Sequence, residues 1–348
     1  MRIVIATVQV PFIRGGAEIL AEGLRGALLG AGHDVALAAV PFKWYPAEKV
    51  LDHMLACRLL DLTESCGAEI DMLIGLKFPA YLIEHPAKRL WLLHQHRTAY
   101  DLWDTAHGDL LHEGIGNQLR AAIQAADRHA ISQVKAPFTI SRNISRRLKE
   151  FCALDSTPLY HPPAREKEFF CAESEDYLLF PSRLSAIKRQ ALVVEALAQT
   201  AQPVNVIFAG GADHVPYARE LTDLTHQHGV SGRVKWLGMI GHEELLKLYA
   251  SALGVVFVPL DEDYGYVTLE AMLSAKPVIT CSDSGGPLEF VLDNVTGLVA
   301  EPSPSALAAA MDRLWRDRAF ARELGRAGHE RYRGLEIGWD NVVASLLR

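Results

Sequence analysis

The chain has 348 residues, 49% of them hydrophobic and 22% charged, which is enough for two domains of ordinary size, each with its own core. Its formal net charge of −7 excludes general nucleic-acid binding through the phosphate backbone, which needs a basic face. No apolar run reaches the roughly 18–20 residues needed to span a bilayer, and Met1-Arg2 leads into Ile3-Val4-Ile5-Ala6, which predicts a strand rather than a secretion signal and a cytoplasmic location. Cys57, Cys66, Cys152, Cys171 and Cys281 are odd in number and scattered, so they suggest neither a disulfide framework nor a zinc ribbon.

Along the first half, apolar runs predict strands at Arg2 to Val8, His33 to Val40, Asp71 to Leu76 and Leu90 to Leu93, with an amphipathic helix at Gly16 to Leu29. Short strands are expected at Phe138 to Ser141 and at Leu159 to His161. The pair Pro162-Pro163 and the charged, aperiodic stretch Ala164 to Asp176 then read as an interdomain linker. The second half restarts the alternation at Tyr177 to Pro181. Further strands are expected at Val204 to Ala209, Val234 to Leu237, Val255 to Pro259, Pro277 to Cys281 and Gly297 to Ala300. Repeated βα order implies parallel sheets covered by helices, so residues 1–164 and 165–334 each read as a doubly wound, Rossmann-like unit. Residues 335–348 carry Trp339 and apolar residues at helical spacing.

The stretch Glu262-Asp-Tyr-Gly-Tyr-Val-Thr-Leu-Glu270 sets two carboxylates around a glycine turn, between an expected strand and the helix expected at Tyr266 to Ser274. Crevices at strand carboxyl ends are where open α/β sheets bind ligands. Gly265 lets backbone approach a phosphate, and the free amides of the new helix point at such an anion. A solvated surface loop is the plain alternative. The nonapeptide resembles the paired-glutamate signature of family-4 retaining glycosyltransferases with the GT-B fold, with Asp263-Tyr264-Gly265 in the place of Gly-Phe-Gly. That resemblance implies two Rossmann-like domains facing across a cleft, with the final helix crossing back onto the first.

Other segments add to the resemblance. Phe12-Ile13-Arg14-Gly15-Gly16-Ala17-Glu18 opens the first helix after a strand, and is similar to the family's Gly-Gly-Ala/Gly-Glu loop; it lacks the three-glycine dinucleotide fingerprint. Ser182-Arg183-Leu184-Ser185-Ala186-Ile187-Lys188-Arg189 places two cations five apart across a strand-to-helix turn, where they can converge on one anion or form a surface charge cluster. It resembles the family's Gly-Arg-Leu…Lys-Gly motif, with Ser182 and Arg189 in place of the glycines. His94-Gln95-His96-Arg97 ends a strand, and the resemblance sets His94 toward the transferred sugar; strand alternation points His96 to the same face. A two-histidine metal site lacks a third ligand. Phe208-Ala-Gly210-Gly211 and Trp236-Leu237-Gly238-Met239 resemble the family's turns near the nucleotide and its base.

The resemblance implies transfer of a hexose from a nucleoside diphosphate sugar to the hydroxyl of a saccharide or lipid-linked acceptor, with retention and without a metal or other cofactor. Glu262, Arg183, Lys188 and His94 are the catalytic candidates. Gly15, Gly16, Gly211, Met239, Tyr264, Gly265, Tyr266, Val267 and Glu270 are the donor-binding candidates, Glu270 on the ribose. The His94 segment with Tyr100-Asp101 resembles mannosyltransferases of polysaccharide assembly, which favours GDP-mannose. Acceptor recognition is expected from Phe42 to Ala47 and Thr98 to Leu110, whose aromatics Trp44, Tyr45, Tyr100 and Trp103 can stack on sugars or fill core. Arg142, Arg146, Arg147 and Lys149 form a basic helix suited to peripheral contact with the inner face of a membrane, or simply to solvent. Asp261-Glu262-Asp263 also looks like the acidic metal motif of the other large glycosyltransferase fold. A phosphorylase, a sugar-nucleotide epimerase or a non-catalytic sugar-nucleotide-binding subunit are the alternatives.

Overall fold

Branched apolar residues dominate Arg2–Gln9 (β1), and its interior is almost wholly buried, as the central strand of a doubly covered parallel sheet requires. The computed structural model describes residues 1–12 and 15–348. Its chain divides into two compact units, residues 1–164 with 337–348, and residues 165–336.

In the first unit, β1 is followed by helix α1 (Gly16–Gly30), β2 (Asp34–Pro41) and α2 (Lys49–Leu59). A two-residue-per-strand hairpin, β3 (Glu64–Ser65) and β4 (Ala68–Glu69), stands apart from the main sheet. Then come β5 (Met72–Gly75), β6 (Lys88–Leu92), α3 (Gly116–Ser132), β7 (Phe138–Thr139), α4 (Arg142–Cys152) and β8 (Thr157–Pro158). The sheet order is β2-β1-β5-β6-β7-β8, with every pairing parallel. The order therefore reverses direction between β1 and β5, and their carboxyl ends flank a crevice. The C-terminal helix Trp339–Leu346 packs on α1: a Cβ at Gly23 would stand 2.3 Å from the Trp339 ring, whose other neighbours are Trp91 and His161.

The second unit runs β9 (Leu178–Pro181), α5 (Gln190–Leu197), β10 (Val206–Ala209), α6 (Val215–Gln227), β11 (Val234–Trp236) and α7 (His242–Ser251). It continues through β12 (Gly254–Val256), α8 (Tyr266–Leu273), β13 (Val278–Cys281), α9 (Pro287–Phe290), β14 (Gly297–Ala300), α10 (Pro304–Arg316) and α11 (Arg318–Gly334). Its parallel sheet has the order β11-β10-β9-β12-β13-β14, the nucleotide-binding arrangement in which consecutive strands grow outward from a switch between the first and the fourth.

Three expectations need correction. The strand expected at Leu159 to His161 lies at Thr157–Pro158, where Phe138 and Thr139 supply partners; His161 is instead buried beside Trp91. Strand β6 stops at Leu92, so His94 and His96 are not on a strand. The stretch read as a linker is laid on the second unit, with Ala172 N–H donating to Ala250 O at 3.0 Å and Glu175 N–H to Ser251 O at 2.8 Å.

Candidate functional site

Strands β9 and β12 are adjacent at the switch point of the second sheet, so the loops leaving their carboxyl ends separate around a crevice. Arg183 and Lys188 leave β9; Glu262 leaves β12. The Leu260 N–H donates to Ile187 O at 2.9 Å, which stitches the two loops together. Across that stitch the Lys188 ammonium contacts the Glu262 carboxylate, with the two side chains 14% and 22% exposed. Lys188 also lies 5.5 Å from the centre of the Phe257 ring. Arg183 is half-exposed and paired with Asp213 at 2.6 Å, a partner supplied by the turn after β10.

Glycines let these turns close on one another. Gly210 has φ +155°, and a Cβ on it would stand 2.1 Å from Ser182 O and 2.9 Å from Arg183 N. The turn is closed by Leu184 N–H donating to Gly211 O at 2.8 Å and by Asp213 N–H donating to Leu184 O at 3.1 Å. A Cβ on Gly211 would press on Met239, whose side chain is otherwise left in solvent at 82% exposure. Arg189, where the resembling motif has glycine, takes φ 60° and ψ 40°, the left-handed region disfavoured for a side chain. Its guanidinium grips Asp283 through two bonds of 2.7 and 2.6 Å, which hold the turn in that conformation.

The loop after β12 is threaded onto the one after β13: Asp261 and Glu262 N–H groups donate to Asp283 O and Ser284 O at 2.9 Å each, and Gly286 N–H donates to Glu262 O at 2.7 Å. Positive φ falls on Asp261 (42°) and Gly265 (92°), so Asp263 fills the family's first-glycine position without needing glycine's freedom. Gly265 does need it, since a Cβ would also come within 3.0 Å of Pro287. It opens α8, and its carbonyl accepts from the Thr268 N–H at 3.0 Å. Tyr264 is buried against Phe290 and set perpendicular to Tyr266, and Tyr266 and Val267 form the partly exposed first turn. One turn on, Glu270 accepts from Tyr249 OH at 2.6 Å, and burial pushes its carboxyl above the ordinary value.

In the first unit Gly15 precedes α1 in extended conformation, and its N–H donates to the Glu18 carboxylate at 2.8 Å. Gly15 and Gly16 thus begin a helix at the β1–β5 switch point; Ile13 and Arg14 of the same motif lie outside the described residues. His94 is partly exposed, with Nδ1 donating to Gln95 O at 2.6 Å. His96 turns away, its Nε2 enclosed without a partner near the rings of Phe42 and Phe78, and burial lowers its pKa to about 4. Of the aromatics expected to meet an acceptor, Tyr100 and Trp103 are core, whereas Tyr45 is exposed and Trp44 partly so. In the basic helix, Arg147 is buried 3.7 Å from Asp101, and Arg146 and Lys149 pair with Glu150 and Asp155.

Sequence reading missed Asp213, Tyr249 and Asp283. Each lies on a different loop or helix from its partner, and no local spacing marks it. Among the described residues no group of three or more His, Cys, Asp or Glu side chains is arranged to hold a metal ion, and no helix is long and apolar enough to cross a membrane.

Two units, each an open parallel sheet with helices, match the GT-B fold of glycosyltransferase structures. Along its full length the chain matches sucrose-phosphate synthase from Thermosynechococcus elongatus, with a TM-score of 0.80, 19% identity, and 100% and 98% of the two chains covered. It also matches the HepE protein of Anabaena in complex with UDP-glucose, with a TM-score of 0.72, 17% identity, and 100% and 98% covered. Residues 164–331 match the family described as glycosyl transferases group 1. The alpha-1,3/1,6-mannosyltransferase of Homo sapiens is 33% identical over 167 residues, covering 44% of this chain and 40% of that protein. The chain spans about half the length of the curated relatives it matches, or less.

Proposed function

We propose that the chain is a retaining glycosyltransferase that moves a hexose from a nucleoside diphosphate sugar to an acceptor hydroxyl, with GDP-mannose as the preferred donor and no metal required. The observation that carries the reading is the contact of Lys188 with Glu262 at the switch point of the second sheet, with Arg183 on the same loop as Lys188 and the amino-terminal turn of α8 shortly after Glu262. The leaving group of such a reaction is a diphosphate, and its developing charge is what catalysis must stabilise. Two cations and a helix amino terminus supply that, each charge-assisted bond contributing roughly 1.5–3 kcal/mol.

In this reading the second unit binds the donor. Glu270 holds the ribose hydroxyls with the oxygen not engaged by Tyr249, Glu262 orients the sugar hydroxyls, and the turns at Gly211 and Met239 border the base. The first unit binds a saccharide or lipid-linked acceptor, and His94 is its candidate residue for the transferred sugar. Retention follows a same-face path in which the departing diphosphate takes the acceptor's proton, so no strong protein base is needed. Support for mannose comes from the His94 segment and from the mannosyltransferase named among the relatives.

A thermal-shift panel of UDP, GDP, ADP, CMP and their sugar conjugates in chelating buffer tests this. A ligand at about 100 times its Kd stabilises the fold by roughly 2.7 kcal/mol. A selective shift with GDP and GDP-mannose, lost in Lys188→Ala, is expected. A shift with another base replaces the donor, a shift only with added manganese overturns metal independence, and none at all makes the chain a non-catalytic subunit or another GT-B chemistry.

A further inference from the structure

Asp127 is a carboxylate with no exposed surface, on α3 of the first unit and far in sequence from every motif above. Burying a carboxylate costs several kcal/mol unless donors replace water. Here three do. Tyr81 OH donates to Oδ1 at 2.8 Å, Tyr100 OH to Oδ2 at 2.8 Å and Gln95 Nε2 to Oδ2 at 2.9 Å. Burial still pushes the carboxyl up to about 6, opposed by these donors. Gln95 is itself buried and also donates to Cys152 Sγ on α4 at 3.3 Å. The side chain of the residue between the two histidines is therefore pinned to two helices, while its carbonyl accepts the Nδ1 proton of His94.

We propose that Asp127 is a positioning residue for the His94 turn, acting through Gln95 to fix the orientation and tautomer of the His94 ring. A carbonyl can only accept, so the proton of neutral His94 is held on Nδ1. A protein that needed only to fill this space would place an apolar side chain at Asp127 and avoid the desolvation cost. The three donors come from the turn after β5, the turn after β6 and the segment beyond it, so one carboxylate orders three stretches that meet beside His94. The inference rests on the reading that His94 serves the transferred sugar.

The test uses full-length protein with nitrogen-15-labelled histidine and three variants, Asp127→Asn, Gln95→Leu and His94→Ala. Ring-nitrogen spectra, taken above the ordinary histidine pKa, should show His94 as a single Nδ1–H tautomer in the wild type and as an exchanging mixture in Asp127→Asn and Gln95→Leu. GDP release from GDP-mannose should fall about tenfold or more in both, with GDP affinity unchanged because the second unit binds it. Gln95→Leu leaves Asp127 its two tyrosines and covers the case in which Asp127→Asn fails to fold. Combined with His94→Ala, either change should add little further loss. If His94→Ala slows turnover while Asp127→Asn and Gln95→Leu keep both the tautomer and the rate, the positioning role is wrong. Unchanged turnover in His94→Ala itself would instead remove the reading on which it rests.

Discussion

Lys188 and Glu262, 74 residues apart, hold each other at the reversal point of the second sheet. Each neutralises the other, yet they have opposite relations to a diphosphate: Lys188 attracts it and Glu262 repels it. Lys188→Ala should therefore weaken GDP binding and lower kcat by about 10²–10³. Glu262→Gln should lower kcat while leaving GDP affinity unchanged or tighter, because the lysine is released. Calorimetric titration of GDP beside steady-state rates separates the two, and equal loss of affinity in both variants would mean the pair is only structural.

Arg183 differs in being half-exposed and tied to Asp213 at 2.6 Å. A diphosphate bound as proposed must share or displace that carboxylate. Arg183→Ala should cut turnover heavily, and Asp213→Asn should tighten GDP binding a few-fold. Weaker binding in Asp213→Asn would show that Asp213 aims the guanidinium rather than competing for it.

Glu270 and Tyr249 form a different kind of pair, a carboxylate steadied by one buried phenol at 2.6 Å. In the proposed donor site Glu270→Gln removes a charged acceptor from the ribose diol, worth roughly 1.5–2 kcal/mol, so the donor KM should rise about 10- to 30-fold with kcat nearly unchanged. Tyr249→Phe should shift KM the same way by less. A kcat effect larger than the KM effect in Glu270→Gln would place the carboxylate at the reacting carbon instead.

Much of this arrangement was legible in the chain because it is local. Apolar runs and glycine turns mark β1, β9 and their following helices, and Arg183 and Lys188 lie within one turn. Strand order was not, because parallel pairing joins residues far apart in sequence, and only that order brings β12 beside β9. The partners that finish the site are equally non-local: Asp283 lies 94 residues from Arg189, and Asp213 lies 30 from Arg183. His94 and His96 looked equivalent by alternation. They separate because β6 ends at Leu92 and the turn that follows sends His96 toward Phe78.

Gly210 provides a test of the backbone underneath the site. An added Cβ meets Ser182 O at 2.1 Å and the residue sits at φ +155°, so Gly210→Ala must push Ser182 and Arg183 aside. A loss of roughly 2–4 kcal/mol is expected, together with weaker GDP binding. Gly26, exposed within α1 with nothing within 4 Å of its added Cβ, is the contrast. Gly26→Ala should gain about 0.5–1 kcal/mol. Urea midpoints of the two variants should therefore move in opposite directions.

His161 gives the protein a predicted acid sensitivity. It is fully buried between Trp91 and Trp339, and burial lowers its pKa to about 3. The folded chain keeps this ring neutral while the unfolded chain protonates it below the ordinary histidine value, so the unfolded state binds more protons across that window. Stability is accordingly full above the ordinary value and is lost as pH falls from there toward 3. One such histidine costs about 2 kcal/mol at about pH 5. His161→Phe cannot titrate and still fills the space between the indoles. The difference in unfolding free energy between neutral and mildly acidic buffer should shrink by about that amount in the variant, and an unchanged difference would mean that His161 is already protonated in the fold.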